Sequence, residues 1–251
     1  IVGANRSYGR LGWGMVFDGS DDFVNVTDDT SLDFGTGDFS VGFWMKRDEN
    51  PGGFESLVGE DDGSSARYGI DLRTTGNIRS FINDGTGSTF STDDGSSVTD
   101  NRWYYVVVTF DRDGNMVRYI DGVADGTADS ISTRSASIDN DGGTIIGQSQ
   151  VAGSQSFNGT IDEVKIWNKA LTAEEIYESF ERGHGNNSLT TQTPLSCAVN
   201  KSSEPDDDPI YAALDWYKDG VLNATTGHPN NNHSVLFMTF DQRNTTGLVE
   251  D

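Results

Sequence analysis

Asp162 and Glu163 are adjacent carboxylates in the segment GTIDEVKIWN, and a pair of carboxylates is what hydrolysis of a glycosidic bond requires. In a retaining glycosidase the two groups lie about 5–5.5 Å apart in one cleft. The segment has the apolar character of a β-strand, in which successive side chains point to opposite faces. The two carboxylates therefore cannot act together, and this segment does not indicate a glycosidase.

The residues suited to nucleophilic catalysis lie late in the chain. The three histidines are His184, His228 and His233, and the single cysteine is Cys197. A Ser-His-Asp or Cys-His site needs the imidazole within hydrogen-bonding reach of the nucleophile. Because these residues follow the regular part of the sequence, we predict that the protein is not an enzyme. One cysteine also excludes an internal disulfide, so packing or a metal must stabilise the fold.

The elements that would position any site are short strands separated by turns. FSVGFWMKR alternates apolar residues with a period of two, and ARYGIDLRTTGNIRSFIND places a Gly-Asn turn between two alternating runs. RWYYVVVTFDRDGNMVRYIDGVADG contains two Asp-Gly pairs, which suit tight hairpin turns. This pattern predicts an all-β fold made of two antiparallel sheets.

One helix is predicted near residue 172. Thr172 and Glu175 form a capping box, and Leu171 and Ile176 form a hydrophobic staple across it. Gly183 is suited to end this helix.

The strongly acidic composition restricts the partners. The formal net charge is −23 at pH 7, which repels nucleic acid and anionic membranes. It is compatible with divalent-cation binding, with the solvated surface of a halophilic protein, or with an ordinary acidic surface. No apolar run reaches the roughly 20 residues of a membrane-spanning helix, so we expect no insertion into a membrane.

Asn-x-Ser/Thr motifs are abundant and predict an exported glycoprotein. We expect exposed, glycosylated positions at Asn5, Asn25, Asn186, Asn200, Asn223, Asn232 and Asn244. Asn158 has the same motif but lies in a Gly turn before a strand, where a structural role is expected.

Four segments, in order, carry a resemblance to a known family. GMVFDGSDDFVNV, FSVGFWMKR, RWYYVVVTFDRDGNMVRYIDGV and FNGTIDEVKIWNKALTAEEI resemble the laminin-G-like domains of the concanavalin A-like lectin/glucanase superfamily. The resemblance covers roughly residues 10–180 and implies a two-sheet jelly roll. It also implies carbohydrate or protein binding by extracellular or cell-surface proteins, often as repeated modules. The E-x-D-x-x-E signature of the glycosidases with this fold is absent.

The resemblance further implies a structural Ca²⁺ near the edge of the sandwich, since Ca²⁺ takes oxygen ligands from loops. Asp18 and Asp162 match the acidic positions of the family, and Asp22 is a weaker third candidate. The alternative is that these carboxylates only accept hydrogen bonds from turn amides. For sugar stacking we consider Trp13 and Tyr68, whose alternative role is packing beneath a loop.

We divide the chain into a laminin-G-like jelly roll at 1–183, a linker with a small β segment at 184–233, and a terminal strand at 234–251. The middle segment resembles part of an immunoglobulin-like sandwich, with a strand in DWYKDG. The terminal SVLFMTFDQRNTTGLVED resembles the first strand of a laminin-G-like domain, a strand that is missing before residue 10.

The terminal apolar residues Val235, Phe237, Met238 and Phe240 therefore predict strand donation, head-to-tail, to a neighbouring copy. The alternative is that the strand folds back into the sandwich of its own chain. Our main hypothesis is a non-enzymatic, extracellular, adhesive or structural module, as one period of a tandem array or one subunit of a filament. The alternative is a carbohydrate-binding lectin module of a larger protein.

Overall fold

The computed structural model describes residues 1–50, 52–60, 66–149 and 155–183, together with short strands at 212–213, 215–218, 221–225 and 234–235. The chain divides into two compact units, Ile1–Ser188 and Leu189–Asp251. No helix in the described ranges is long and apolar enough to cross a membrane.

The first unit is a β-sandwich with one helix. Its strands are β1 (Asn5–Tyr8), β2 (Trp13–Asp18), β3 (Val24–Val26), β4 (Phe39–Arg47), β5 (Glu55–Glu60), β6 (Ala66–Leu72), β7 (Ile78–Asp84), β8 (Phe90–Thr92), β9 (Trp103–Phe110), β10 (Asn115–Ile120), β11 (Val123–Ala124), β12 (Asp129–Ser130), β13 (Thr144–Ile146) and β14 (Asn158–Trp167). The helix is α1 (Ala173–Gly183).

Two antiparallel sheets make up the sandwich. The eight-stranded sheet has the order β1-β2-β14-β4-β9-β10-β11, with β12 also paired to β10. The six-stranded sheet has the order β3-β13-β5-β6-β7-β8. These sheets confirm the predicted jelly-roll class, and the β6–β7 hairpin turns at the predicted Gly-Asn position, where Gly76 has a φ of 86°.

The core lies between the sheets and follows from the alternation of the strands. Phe39, Val41, Phe43 and Met45 of β4 are fully buried on one face, as the period of two predicts. On the facing sheet, Tyr68, Ile70 and Leu72 of β6 point into the same core. The aromatic rings pack closely: Phe39 stacks on Phe110 with centroids 4.2 Å apart.

Helix α1 covers the outer face of the eight-stranded sheet. The predicted capping box is present: Thr172 N donates to Glu175 Oε2 at 3.0 Å, and Glu175 N donates to Thr172 Oγ1 at 3.3 Å. Ile176 and Phe180 of the helix are buried on Trp44 of the sheet, which forms a second apolar cluster outside the main core.

The two sheets are also joined by a buried ion pair. Arg47 of β4 and Glu55 of β5 lie with Nη1 and Oε1 3.5 Å apart, and both side chains are almost fully buried. Arg47 Nε also donates to Asp100 Oδ1 at 2.6 Å, and Asn158 N donates to Glu55 Oε2 at 3.2 Å. Burial raises the pKa of the Glu55 carboxyl from 4.5 to about 7.

The amino-terminal segment requires a correction. The sequence predicts no strand before β2, but β1 forms a hairpin with β2 and ends the eight-stranded sheet. All four residues of β1 are exposed, and the sequence is the polar NRSY. Its polar side chains lack the apolar alternation from which a strand is predicted. The strand present here is therefore a polar edge strand, unlike the apolar opening strand implied by the family resemblance.

The second unit is described only as paired strands. These are β15 (Ala212–Ala213), β16 (Asp215–Lys218), β17 (Val221–Thr225) and β18 (Ser234–Val235). β16 and β17 form an antiparallel hairpin, and β15 pairs with β18 in parallel. The strand predicted in DWYKDG is present, while the immunoglobulin-like assignment stays a prediction.

Candidate functional site

A groove crosses the outer face of the six-stranded sheet, which α1 does not cover. One row of opposed residues runs across its strands: Ile145, Gly59, Gly69, Phe81 and Ser91. Two adjacent glycines leave the backbone as the floor of the groove. A Cβ at Gly69 would collide with the ring of Phe81, so this ring lies directly over the glycine. The missing side chain at Gly69 thus lets the Phe81 ring pack onto the main chain, and Gly59 beside it is partly exposed.

The next row holds an ion pair. Asp71 and Arg79 are opposite each other on β6 and β7, and Arg79 Nε donates to Asp71 Oδ2 at 3.0 Å. Burial raises the pKa of the Asp71 carboxyl, and the Arg79 guanidinium partly opposes this shift. The guanidinium also lies 4.9 Å from the ring centroid of Phe81 and 5.6 Å from that of Phe54. These contacts hold the guanidinium in one orientation at the groove.

The groove is small and is lined by polar side chains and glycines as well as Phe81. Its volume is about 330 Å³, at the lower end of the 300–1,000 Å³ typical of ligand pockets. Around the glycines lie amides and hydroxyls, namely Ser56, Thr89, Ser91, Gln148, Ser149 and Gln155. Such groups donate and accept hydrogen bonds with sugar hydroxyls, while Phe81 offers an apolar face. Asp71 is the one carboxylate among the described residues that line the groove.

The two predicted sugar-stacking residues have different environments. Trp13 is 63% exposed and stacks on Tyr8, with ring centroids 5.1 Å apart. Tyr68 is only 1% exposed and packs against Phe39 and Phe110. The prediction of an exposed ring at Tyr68 is therefore corrected. The reason is parity: Arg67, Gly69 and Asp71 point outward from β6, so the side chain between them points into the core.

The predicted calcium ligands separate into two places. The carboxylate oxygens of Asp18, Asp21 and Asp22 lie within 4.8 Å of one another, in the loop that follows β2. Two Ca²⁺–oxygen bonds of about 2.4 Å can span such a separation, so these side chains fit the ion. Two of these oxygens also accept hydrogen bonds from backbone amides of the turn. Ser20 N donates to Asp18 Oδ1 at 2.8 Å, and Asp18 N donates to Asp22 Oδ2 at 2.9 Å.

Asp162 does not join this cluster. Asp18 is opposite Asn158, and Asp162 lies four residues farther along β14, roughly 13 Å at the rise of a strand. Leu11 N donates to Asp162 Oδ2 and Glu163 N donates to Asp162 Oδ1, both at 2.8 Å. Asp162 therefore fixes the β1–β2 turn, and the sequence missed Asp21 as the neighbour of Asp18.

The glycosylation candidates are only partly visible. Asn5 and Asn25 are exposed, and Asn158 is half-buried opposite Asp18. Asn186, Asn200, Asn232 and Asn244 lie outside the described residues, and Asn223 lies in β17, whose side chains are not described. Among the strand-donation residues, Val235 lies in β18, while Phe237, Met238 and Phe240 are outside the described ranges.

Sequence reasoning missed the groove itself. Asp71 lies on β6 while Arg79 and Phe81 lie on β7, and only the register of the β6–β7 hairpin brings them together. The alternation in ARYGIDL and IRSFIND is the sequence feature that could have indicated the groove. Its outward positions carry Arg67, Gly69 and Asp71 on one strand and Arg79 and Phe81 on the other.

Solved structures share the fold at low sequence identity. The binding domain of Paraclostridial Mosquitocidal Protein 1 superposes with a TM-score of 0.62 and 20% identity, over 74% of this chain and 47% of that one. The chain thus spans about half the length of that domain. Domain 4 of AbnA, an extracellular arabinanase from Geobacillus stearothermophilus solved with arabinotriose, gives 0.54 and 19%, over 70% and 80%. A heptameric pentraxin from Limulus polyphemus gives 0.51 and 15%, over 68% and 82%.

No curated protein sequence matches the chain. The family model described as the concanavalin A-like lectin/glucanases superfamily, named for a laminin G domain, matches residues 18–177. These residues run from the end of β2 into α1 and contain most of both sheets. The resemblance stated from the four sequence segments is confirmed: the chain belongs to the concanavalin A-like lectin/glucanases superfamily, with a laminin-G-type domain.

Proposed function

We propose that the chain is a non-catalytic binding module that binds a glycan in the groove of the six-stranded sheet. The observation that carries this proposal is the row in which Gly59 and Gly69 form a floor beside Phe81. A sugar ring stacks its apolar face on an aromatic ring, while its hydroxyls need fixed donors and acceptors. Arg79 supplies donors at one end of the groove, oriented by its ion pair with the buried Asp71, and the hydroxyls and amides of the lining supply acceptors.

The carboxylate content of the groove supports binding over hydrolysis. Both glycosidase mechanisms use two carboxyl groups that flank the scissile bond. Asp71 is alone among the described lining residues, and its oxygen is engaged by Arg79. These groups can hold a sugar, and the described part of the lining offers no second carboxylate to activate water or form a covalent intermediate.

We place this module outside the cell. Structures with a similar fold include the binding domain of Paraclostridial Mosquitocidal Protein 1, the receptor binding domain of botulinum neurotoxin D and a domain of an extracellular arabinanase. Exposed Asn5 and Asn25 within glycosylation motifs agree with export. An adhesive module and a lectin module of a larger protein both use such a groove, and they differ in whether one sugar class is recognised.

A glycan array tests the proposal directly. We expect the wild-type chain to bind one class of oligosaccharide, and Phe81→Ala and Arg79→Gln to reduce that binding at least tenfold. Val123→Ser, at an exposed apolar position on the edge strand β11, is the matched control and should bind as the wild type does. Absence of binding across the array, or equal binding by Phe81→Ala, would reject the groove as a glycan site.

We also propose that Asp18, Asp21 and Asp22 hold a Ca²⁺ that stabilises the loop between β2 and β3. The support is the fit of three carboxylates to the spacing of calcium ligands. The ion would cross-link this loop. It would take no part in binding at the groove, which lies on the outer face of the six-stranded sheet.

A second candidate function is that of an adhesive or structural module whose copies are joined in a tandem array or a filament, here called the joined-copies role. The sequence feature that favours it is the apolar run SVLFMTF at 234–240, which resembles the opening strand of the family. Light scattering of the purified chain tests this role, because joined copies give a mass that rises with concentration. A constant monomer mass would leave the isolated binding module as the function.

A further inference from the structure

An apolar cleft opens between the two sheets on the side where both sheets end. The eight-stranded sheet ends at β1 and the six-stranded sheet ends at β3. Between them lies a cleft of about 180 Å³, whose walls include Met15 and Val164 from one sheet and Val24 and Ile146 from the other. These four side chains pack on the core but remain only partly buried. The core is therefore accessible from this side.

Exposed aromatic residues extend the cleft outward. Trp13 and Met15 alternate along β2 and so lie on the same face, and Trp13 is part of the cleft wall. Its neighbour Tyr8 is 82% exposed and stacks on it with the ring planes 13° apart. Exposure of a large aromatic surface to water is unfavourable, so burial of this pair would stabilise a complex.

The backbone next to the cleft is unusual. Glu163 has a φ of 52° within β14, where the register with β4 shifts between Asp162 and Lys165. A non-glycine residue in this region is strained, and such residues cluster at active sites and ligand-binding positions. The bulge lies in the cleft lining, beside Trp13.

The cleft favours an apolar peptide over a sugar. Its carboxylates are engaged, since both oxygens of Asp162 accept backbone amides and Glu163 Oε2 lies 2.8 Å from Lys165 Nζ. The remaining wall is aliphatic and aromatic. Edge strands also present unpaired main-chain groups, which a peptide satisfies by strand addition. On this side of the sandwich, Val2 pairs with Phe23 in an isolated bridge. The strands β1 and β3 themselves remain the end strands of their sheets.

We propose that this cleft is the acceptor site for an apolar strand from a second copy of the chain, residues 236–240 (LFMTF). The proposal rests on the joined-copies role and names its contact surface. Leu236, Met238 and Phe240 alternate in the sequence, so on binding as an extended strand they would share one face and enter the cleft together. Ser234 and Val235 pair with Ala212 and Ala213, and the segment that follows them carries the apolar side chains.

Charge also favours this segment. Two copies of a chain with a net charge of −23 repel each other, but residues 234–240 contain no charged side chain. Added salt screens the repulsion and leaves the apolar contact, so association should strengthen from 0.05 to about 1 M NaCl. A contact made by ion pairs would weaken over the same range.

The test measures mass by light scattering across concentration and salt for the full chain and four variants. We expect the wild type to form species of two or more copies, and deletion of residues 236–251 to give a monomer. Trp13→Ser and Met15→Glu should weaken association at least tenfold. Trp13 is exposed, so this variant folds even if Met15→Glu does not. Val123→Ser, which removes an equally exposed apolar side chain on the opposite edge, should associate as the wild type does.

The outcomes separate the two proposals. A wild type that stays monomeric with residues 236–251 protected from protease indicates return of the strand to its own chain and overturns donation between copies. Association that is lost on deletion but unchanged in Trp13→Ser and Met15→Glu leaves the copies joined and rejects this cleft as the acceptor. Association that survives the deletion rejects the donated segment. An excess of the peptide HSVLFMTFDQ should dissociate the wild-type complex.

Discussion

The two outer faces of the sandwich differ in what covers them. On the eight-stranded sheet, α1 packs Ile176 and Phe180 onto Trp44 and makes a second apolar cluster. On the six-stranded sheet the corresponding face, here called the open face, is not covered by any helix of the described residues, and its central positions are Gly59 and Gly69. A sheet face must either be buried by another element or carry side chains compatible with water. The covered face therefore contributes stability, and the open face is the one for which we propose ligand binding.

The inner faces show no such difference, because both sheets contribute large apolar residues to one core. Asp71 and Arg79 on the open face are held by each other and by Phe54 and Phe81, without contact to the covering helix. Changes on the covered face should thus alter the free energy of unfolding, and changes on the open face should alter binding.

The largest expected effect on stability is at Phe180. Phe180→Ala removes a buried ring that lies 5.8 Å from Trp44, so we expect a loss of about 3–5 kcal/mol in the free energy of unfolding. Tyr177→Ala, on the exposed side of the same helix, is the control and should cost about 0.5 kcal/mol or less. Urea denaturation measures both. Equal losses at the two positions would show that the helix does not stabilise the sheet through its buried face.

The second effect concerns Glu55, where the two sheets meet. Its pKa is raised to about 7, so the folded state holds more protons than the unfolded state between pH 4.5 and 7. Its contribution to stability is therefore lost as the pH rises through this window, by up to about 3 kcal/mol. Glu55→Gln removes this contribution and keeps the shape of the side chain. The stability of this variant relative to the wild type should increase from pH 4.5 to pH 7.5.

Urea denaturation at four pH values measures that difference, and Glu178→Gln on the exposed surface of α1 is the control. Other carboxylates titrate identically in both proteins, so the difference isolates Glu55. A difference that is constant with pH would contradict a buried, protonatable Glu55.

The third effect is calcium binding at the loop that connects the two sheets. A ligand at a hundredfold excess over its Kd stabilises the native state by about 2.7 kcal/mol. We expect Ca²⁺ to raise the Tm and EGTA to reverse the increase, with Asp21→Asn and Asp22→Asn reducing it. Asp162→Asn should retain the response, because Asp162 binds the β1–β2 turn instead. Identical melting curves in Ca²⁺ and EGTA, with no metal in elemental analysis, would reject the site.

The smallest effect is at the start of the covering helix. Thr172→Ala removes the side-chain acceptor of Glu175 N and should cost about 1 kcal/mol. A matched control for the glycan-binding assay is Thr127→Ala, which removes another threonine hydroxyl, one in the loop between β11 and β12 that donates to Asp94. Both variants should bind glycan normally. Loss of binding in Thr172→Ala would mean that the covered face influences the groove.

The sequence predicts the sandwich and the helix because their signals are local. The period of two in β4 and the capping box at Thr172 each occupy fewer than ten residues, and both are present as predicted. The site depends on register and side-chain direction, which are not local. Tyr68 was assigned to the wrong face of β6, and Asp162 was grouped with Asp18, although the pairing of β2 with β14 separates them.

The groove on the six-stranded sheet also depends on strand register, which the sequence does not show. Gly59 and Gly69 gave no sequence signal, since isolated glycines in strands also mark bulges or close packing. Only the pairing of β5 with β6 shows that the two glycines are neighbours and that Phe81 lies over one of them.

The most direct test of the central proposal is to map the ligand on the protein. Backbone amide chemical shifts of the wild type should be recorded while the oligosaccharide selected on the glycan array is added. We predict that the shifted amides cluster on β5, β6, β7 and β8, around Gly59, Gly69 and Phe81, and that Phe81→Ala abolishes the shifts. Shifts that cluster on α1 or around Trp13, with the amides of these four strands unchanged, would contradict the assignment of ligand binding to the open face.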